Sequence, residues 1–396
     1  MSFAVRPACA QTWSFEQLAQ EALLSHPSIM GKRSSASAAL ADVDGAKWQR
    51  FPTPGVAASK DDKGVTNTLV SVQQPLWAGG RISAGIAAAQ YRHTASESAI
   101  SESQQVVLGQ IISAYVDALR WQVKKEVSER NVHQHQLLRE MINRRVDADA
   151  SPSVDRELAQ SRLYQSNNDL SVATQSLANA LTQLSQLTGK HVSVVLPLNV
   201  EKVFVPPSKS AAIEQALAWS PVIARLSSEA AAAESDVDVK KSVLWPQLAV
   251  RYENQQNTVN TQRVMVVLDA QIGAGLSATA GVGAANGRRE AAKQAREGAV
   301  RDLQQQVSID WDNLAVSRLQ LGNATRASSS SKEVFESYTR QYTAGRKSWL
   351  DVLNTVREAS QYELLVSDVN AQMLGSALRL SLWVGKIAPL TSDSVR

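Results

Sequence analysis

The sequence predicts a mainly α protein with a small β part, in which one pattern is used twice. Three observations predict it. The 396-residue chain repeats its own motifs at a spacing close to half its length. Apolar residues at alternating steps of four and three run through stretches far longer than an ordinary helix. Short segments of apolar–polar alternation precede each of those stretches.

The repeat comes first because it organises everything else. Glu21-Ala-Leu-Leu-Ser-His-Pro-Ser-Ile29 matches Gln215-Ala-Leu-Ala-Trp-Ser-Pro-Val-Ile223, with Pro27 and Pro221 194 residues apart. At the same spacing Asp42, Asp44, Lys47 and Phe51-Pro52 fall on Asp236, Asp238, Lys241 and Trp245-Pro246. Gly80-Arg81 matches Gly287-Arg288 at 207, whereas Tyr115 matches Trp311, and Asp155 matches Asp351, at 196. These spacings predict about 13 extra residues at the glycine-rich turn of the second copy and a loss of about 11, three helical turns, inside its long helix.

Residues 1–10 contain Ala8-Cys9-Ala10, a small-x-small peptidase pattern, and are expected to be a signal-peptide remnant whose true start lies upstream; a chance match is the alternative. The first repeat spans 11–188. A helix over 14–50 ends at Phe51-Pro52, because proline cannot continue it. Two short strands follow, then the turn Gly79-Gly80-Arg81, a long helix over 82–147 and a returning helix over 153–187. Pro197, Pro206 and Pro207 mark 189–208 as a linker with one short strand. The second repeat, 209–386, gives helices over 209–243, 287–342 and 349–385, with two strands before the long one; 387–396 is a tail.

Helix packing is legible as stripes. Ala159, Leu163, Ser166, Leu170, Ala173, Leu177, Ala180, Leu184 and Leu187 form a heptad seam, matched by Val352, Val356, Ala359, Tyr362, Val366, Val369, Met373, Ala377 and Leu380. Leu108, Ile112, Tyr115, Leu119, Val123 and Val127 stripe the first long helix. A 66-residue helix is about 100 Å long, so the helices are expected to form an extended rod that needs further subunits to build a wall.

The strands alternate. Val70 and Val72 oppose Ser71 and Gln73; Leu248, Val250 and Tyr252 oppose Arg251, Glu253 and Gln255; Val264, Val266 and Leu268 oppose Asp269 and Gln271. Such two-faced strands suit a membrane barrel or a half-buried soluble sheet. Four strands cannot close a barrel, since about eight is the usual minimum, but three copies would supply twelve. Phe51, Trp77 and Trp245 lie at strand–helix junctions, where either an aromatic girdle at the membrane edge or core packing places them.

Composition narrows the function. The chain is 44% hydrophobic and 20% charged, so it is neither disordered nor collagen-like. No run of about 18 apolar residues occurs, which argues against a membrane-spanning helix but not against a barrel. The formal charge of +4, without a basic stripe, argues against a nucleic-acid partner. With one cysteine, Cys9, there is no internal disulfide and no cysteine metal cluster. His133 and His135 point to different helix faces and make no metal pair. No nucleophile–base set stands out, and Gly281-x-Gly283 lacks the βαβ context of a dinucleotide loop, so neither an enzyme nor a cofactor is expected.

The residues that combine these features resemble the TolC family of trimeric outer-membrane export channels, over about Phe15 to Gly385. They are the repeat itself, the His26-Pro27 and Ser220-Pro221 helix starts, Gln74-Pro75-Leu76-Trp77-Ala78-Gly79-Gly80-Arg81, and Tyr342-Thr-Ala-Gly345-Arg-Lys-Ser348-Trp-Leu-Asp351-Val-Leu353. The resemblance implies a homotrimer whose four strands per subunit form a 12-stranded barrel in outer-membrane lipid. Its helices form a tunnel, an α-barrel, through the periplasm. The tunnel docks on a periplasmic adaptor and an inner-membrane transporter, ABC-type or proton-driven. Cargo would be protein (type I secretion) or small molecules (efflux). Residues 189–208 would lie in the equatorial belt.

By the same resemblance the helix–helix turns form the periplasmic tip. Tyr342, Gly345, Lys347 and Asp351 fit its pattern, with Lys347 where the family often has arginine and Asn354 where some members carry an acid. In the first copy Asp155 is kept, Asp149 replaces glycine and Pro152 follows. Plain helix capping by Ser153 and Ser348 explains the same residues. The glycine-rich run from Gly273 to Gly287 is similar to members that serve adhesin secretion. A periplasmic coiled-coil adaptor or scaffold without a barrel is the competing reading; adaptors carry one hairpin, and the duplicated layout speaks against it.

Overall fold

The computed structural model describes residues 12–60, 66–256, 260–270 and 277–387. The Ala8-Cys9-Ala10 pattern, the residues Gln271 and Gly273, and most of the tail lie outside the described residues. In chain order the elements are β1 (Thr12–Trp13), α1 (Phe15–Ser25), α2 (Pro27–Trp48), β2 (Thr53–Lys60), β3 (Thr66–Trp77), α3 (Arg81–Asp147), α4 (Ser153–Thr188) and β4 (Val194–Val195), then a single 3-10 turn over Val200–Lys202. The second half follows with α5 (Lys209–Trp219), α6 (Pro221–Ser242), β5 (Gln247–Gln256), β6 (Thr261–Asp269), α7 (Ser277–Thr343) and α8 (Trp349–Trp383).

Three expectations are corrected. The helices expected over 14–50 and 209–243 are each two helices, broken before Pro27 and Pro221. Proline lacks the N–H that would continue the ladder, and a new helix starts on it because its fixed φ suits a first turn. Ser220 caps the second of these starts by accepting from the Ile223 N–H.

The third correction concerns register. The second long helix begins at Ser277, not near Gly287. α3 and α7 are both 67 residues long, and α7 starts 196 residues after α3. That is the spacing of Tyr115 to Trp311 and of Asp155 to Asp351, so the inferred insertion and deletion do not exist. Gly281, Gly283 and Gly287 lie inside α7 with open space where a side chain would be. Each glycine costs about 1 kcal/mol relative to alanine, a cost that the flanking alanines and a long cooperative helix absorb.

Each repeat contributes to two compact units. One unit holds Pro27–Ser103 and Ser220–Asp302; the other holds the described residues up to His26, Gln104–Trp219, and those from Leu303 on. The first unit carries a four-stranded antiparallel sheet of order β2-β3-β5-β6. Val72 pairs with Pro54 and Tyr252, and Tyr252 with Val264. β2, the segment least like a strand by pattern, is fully paired along Thr53–Lys60. Pro75 sits at a register irregularity, which tolerates a residue that cannot donate.

The second unit is helical, with a parallel pair of two-residue strands, β1 on β4. Tyr115 is fully buried, stacks on Phe15 at 5.3 Å and donates to the Leu196 carbonyl at 2.6 Å. It thereby pins the linker to α3. Its repeat partner Trp311 packs against the same buried cluster, around Ala216, Val307 and Leu380, as Val200, Val203 and Val205 of the linker. The expected seams are real: Ala159, Leu163, Ser166, Ala173, Ala180 and Leu184 of α4, and Val352, Val356, Val369, Ala377 and Leu380 of α8, are buried.

Candidate functional site

The two helix–helix turns share one backbone solution. After α7, the Gly345 N–H bonds the Tyr342 carbonyl and the Arg346 N–H reaches Gln341. After α3, the Asp149 N–H bonds Val146 and the Ala150 N–H reaches Arg145. This is the Schellman arrangement, which needs a left-handed residue after the helix. Gly345 supplies it at φ 72° without strain, and Asp149 supplies it at φ 54° with a side chain.

Tyr342, 5% exposed, lies in a cluster with Ile142, Ala159, Trp349 and Val352. Its ring stacks on Trp349 at 5.4 Å, and the Arg145 guanidinium lies over its face at 4.7 Å. Its hydroxyl meets that of Ser151 at 3.3 Å, joining the two turns of one chain. Lys347 sits over the Tyr338 ring at 4.3 Å. Asp351 and Ser348 form a reciprocal cap: the Asp351 N–H donates to the Ser348 hydroxyl and the Ser348 N–H to the Asp351 carboxylate, each at 3.2 Å. Hydrogen bonding from Ser348, side chain first and then backbone, holds the Asp351 carboxyl below the usual carboxylate range, and Lys347 adds to this.

Ser348 is thus a cap as expected, but Ser153 is not. Pro152 occupies the cap position with no side-chain bond, and Ser153 is the first helical residue. Asp155 stands in the first turn of α4, where its charge suits the helix N-terminus. Beside it Arg156 pairs with Asp147 across the turn. Asn354 is exposed on α8, away from Asp155 in sequence but one turn beyond Asp351.

At the strand–helix junction Gly79 and Gly80 both take positive φ, 59° and 87°. A methyl group on Gly79 would meet the Ser242 carbonyl and Trp245 Cβ, each at 3.0 Å, so glycine lets the two repeats' junctions touch. Arg81 opens α3 and donates to Gln49 at 3.4 Å. Phe51, Trp77 and Trp245 are exposed, and Phe51 stacks on exposed Trp48 at 5.1 Å. The irregularity after Pro75 brings Trp77 opposite Leu248.

The sheet separates two chemistries. One face carries Val56, Val264, Val266 and Leu268, which are 74, 70, 68 and 68% exposed. The other carries a chain of polar bonds. Arg251 donates twice to the Gln73 side chain, at 3.0 and 2.7 Å; Arg263 grips Glu253 at 2.8 Å; Gln255 donates to Asn67 at 3.1 Å. Among the described residues, both outer strands, β2 and β6, end the sheet with unpaired edges.

Some polar groups carry no sequence signal. Asp310, 1% exposed, accepts from Arg379 at 2.8 Å and from the Trp383 indole at 2.8 Å. These residues are distant in sequence, and only the α7–α8 packing joins them. A cavity of about 350 Å³ among α3, α4 and α8 is lined by Trp121, Lys124, His135, Arg162, Asp169 and Arg357. Burial, then Arg162, pulls His135 below its ordinary value, so the imidazole is neutral at pH 7. Among the described residues no cluster could hold a metal ion, and no helix is long and apolar enough to cross a membrane.

Comparison with known proteins gives three findings. Residues 18–190 match the family model described as outer membrane efflux protein. No match was found among the curated proteins. Solved structures match over nearly the whole chain. A membrane protein from Pseudomonas aeruginosa is 16% identical, with 100% of this chain and 99% of that one covered and a TM-score of 0.86. The outer membrane protein VceC of Vibrio cholerae is 14% identical, with 94% and 96% covered and a TM-score of 0.80. The Campylobacter jejuni CmeC outer membrane channel is 13% identical, with 96% and 87% covered and a TM-score of 0.82. At such identities the likeness speaks for the fold. The family is one of transport channels rather than enzymes. The first repeat is thus similar to the outer membrane efflux protein family, and the whole chain has the fold of the solved TolC-like outer membrane channels.

Proposed function

We propose that three copies of this chain assemble into one channel-tunnel that exports cargo from an inner-membrane transporter across the periplasm and outer membrane. The sheet carries this reading. A four-stranded sheet with two unpaired edges and an apolar face in the open is not a finished structure in water. Three such sheets closed edge to edge make 12 strands, with Val264, Val266 and Leu268 towards lipid and Arg251, Glu253 and Arg263 towards the lumen. Phe51, Trp77 and Trp245 then form the aromatic girdle at the membrane edge. The repeats over 11–188 and 209–386 each contribute a hairpin to the tunnel, and 189–208 its equatorial belt.

The hairpin turns are the periplasmic tip, where an adaptor docks and opening occurs. Tyr342, Lys347 and Asp351 hold the tip closed together with Gly345, Asn354 and Asp155. Tyr342 ties the two turns of one chain through Ser151, and Lys347 rests on Tyr338. Adhesin secretion rested on a lengthened glycine-rich junction. With α7 already helical from Ser277, that support falls away; the cargo is then either protein, by type I secretion, or small molecules, by efflux, and the family's description as an outer membrane efflux protein is common to both.

Expressed behind a working signal peptide, the protein should fractionate with the outer membrane as a trimer and conduct ions in planar bilayers. A soluble periplasmic monomer would overturn the reading and favour the scaffold. For the tip, Tyr342→Phe combined with Lys347→Ser should raise single-channel conductance. Unchanged conductance would leave helix capping and packing as the whole role of these residues.

A further inference from the structure

We propose that Arg251 and Arg263 bias the barrel lumen towards anions, so that this channel passes solutes bearing carboxylate, phosphate or sulfonate groups more readily than cations of equal size. The inference rests on the trimeric-barrel reading. It starts from the polar face of the sheet, where positions 251 and 253 of β5 and position 263 of β6, paired with 253, carry charge. Arg251 and Arg263 are cationic, and Glu253 is the single acid between them.

Glu253 is almost fully engaged. Its side chain is 9% exposed, one oxygen takes the Arg263 guanidinium at 2.8 Å, and Arg251 approaches the other at 3.6 Å. The Arg263 side chain keeps 56% of its surface open, and Arg251 spends its donors on neutral Gln73. The carboxylate is therefore covered and one positive charge per chain is left uncompensated. The second acid on this face, Asp269, pairs with Gln247 at the helix end of β6, six residues from Arg263 and beside the cavity that Arg81 also lines, so the surplus stands at the level of Arg263. Closure of three chains would turn it into a ring of three positive charges. Rings of arginine or lysine select anions in other pores, by the sign of the potential they impose.

Size and salt decide how far the ring reaches. A 12-stranded barrel lies between those of about 8 strands, which side chains fill, and those of 16 or more, which hold a wide aqueous channel. Its lumen is on the scale of the Debye length, about 10 Å at 0.1 M salt and about 30 Å at 0.01 M. The bias must therefore be strong in dilute salt and fade near 1 M, where the Debye length is about 3 Å.

The test is the reversal potential of the full-length trimer in planar bilayers under a tenfold KCl gradient. Arg251→Gln and Arg263→Gln should each lower the chloride-to-potassium permeability ratio, by about threefold in dilute salt and by little at high salt. Glu253→Gln should raise it. Arg263→Lys, which keeps the charge, should leave it near the wild-type ratio. Trimer content of each variant by gel separates altered selectivity from failed assembly. Arginine variants that assemble yet keep the wild-type ratio, or Glu253→Gln moving it in the same direction as they do, would overturn the inference while leaving the channel standing. A wild-type trimer with no conductance would instead overturn the channel reading itself.

Discussion

At the scale of single residues, Gly385 shows how little slack the helical unit has. It ends α8 at φ 69°, and a methyl group there would lie 2.4 Å from the Trp219 ring. Gly385→Ala should therefore destabilise the protein by about 2–4 kcal/mol, combining backbone strain with overpacking, and lower its melting temperature in detergent. Asp310 is sensitive for a different reason. Arg379→Ala would leave a buried carboxylate with only the Trp383 indole and one distant amide, at a cost of about 3 kcal/mol in chemical denaturation. Replacing both partners by apolar residues should cost less than that single change. His135 gives a pH signature. Its folded pKa is lowered by burial, so the unfolded chain takes up the proton first, near pH 6.5. The stability tied to the neutral ring is complete above that pH and is lost as pH falls towards the folded value. His135→Gln should flatten this part of the stability–pH curve. Residues differ in how far the sequence reveals them. Gly345 was legible because a turn between two helices needs a left-handed residue, whereas the Asp310–Arg379–Trp383 group depends on a packing that no local pattern encodes.

At the scale of elements, alternation carried the most information. In β6 two neighbours in sequence face opposite ways: Val266 is widely exposed on the apolar face and Met265 pairs with Arg251 on the polar one. Val266→Arg should cost about 2–4 kcal/mol in a bilayer, the range for arginine at mid-depth on a lipid face, and reduce assembled trimer in outer-membrane fractions. Met265→Arg should assemble normally. Equal losses from both would contradict the inside–outside assignment. The strands and heptad seams were readable because periods of 2 and 3.5 persist over many residues. The start of α7 was not, since glycines at 281, 283 and 287 spoke locally for a turn while helix continuity over 67 residues prevailed. The prolines at 27 and 221 are visible as motifs, yet pattern alone does not separate a proline that opens a new helix from one tolerated in a first turn, so each pair reads as one longer helix.

At the scale of the whole molecule, the sheet is the part that a single chain leaves unfinished, and assembly is the prediction that belongs here. Trimers that resist dissociation, with conductance that rises when the tip contacts of Tyr342 and Lys347 are removed, are the expected behaviour. The duplication was readable from motif spacing, but its true regularity emerged only when α3 and α7 proved equal in length. The small ladder between β1 and β4 has a consequence of another kind. It sets Thr12 beside Val194 and Trp13 beside Val195, so the chain, just after leaving the first repeat, returns to where that repeat began. A segment whose two ends meet can be copied in tandem without rerouting the chain around it. The ancestor of this protein could therefore have doubled in one genetic step, each half arriving already threaded for its place.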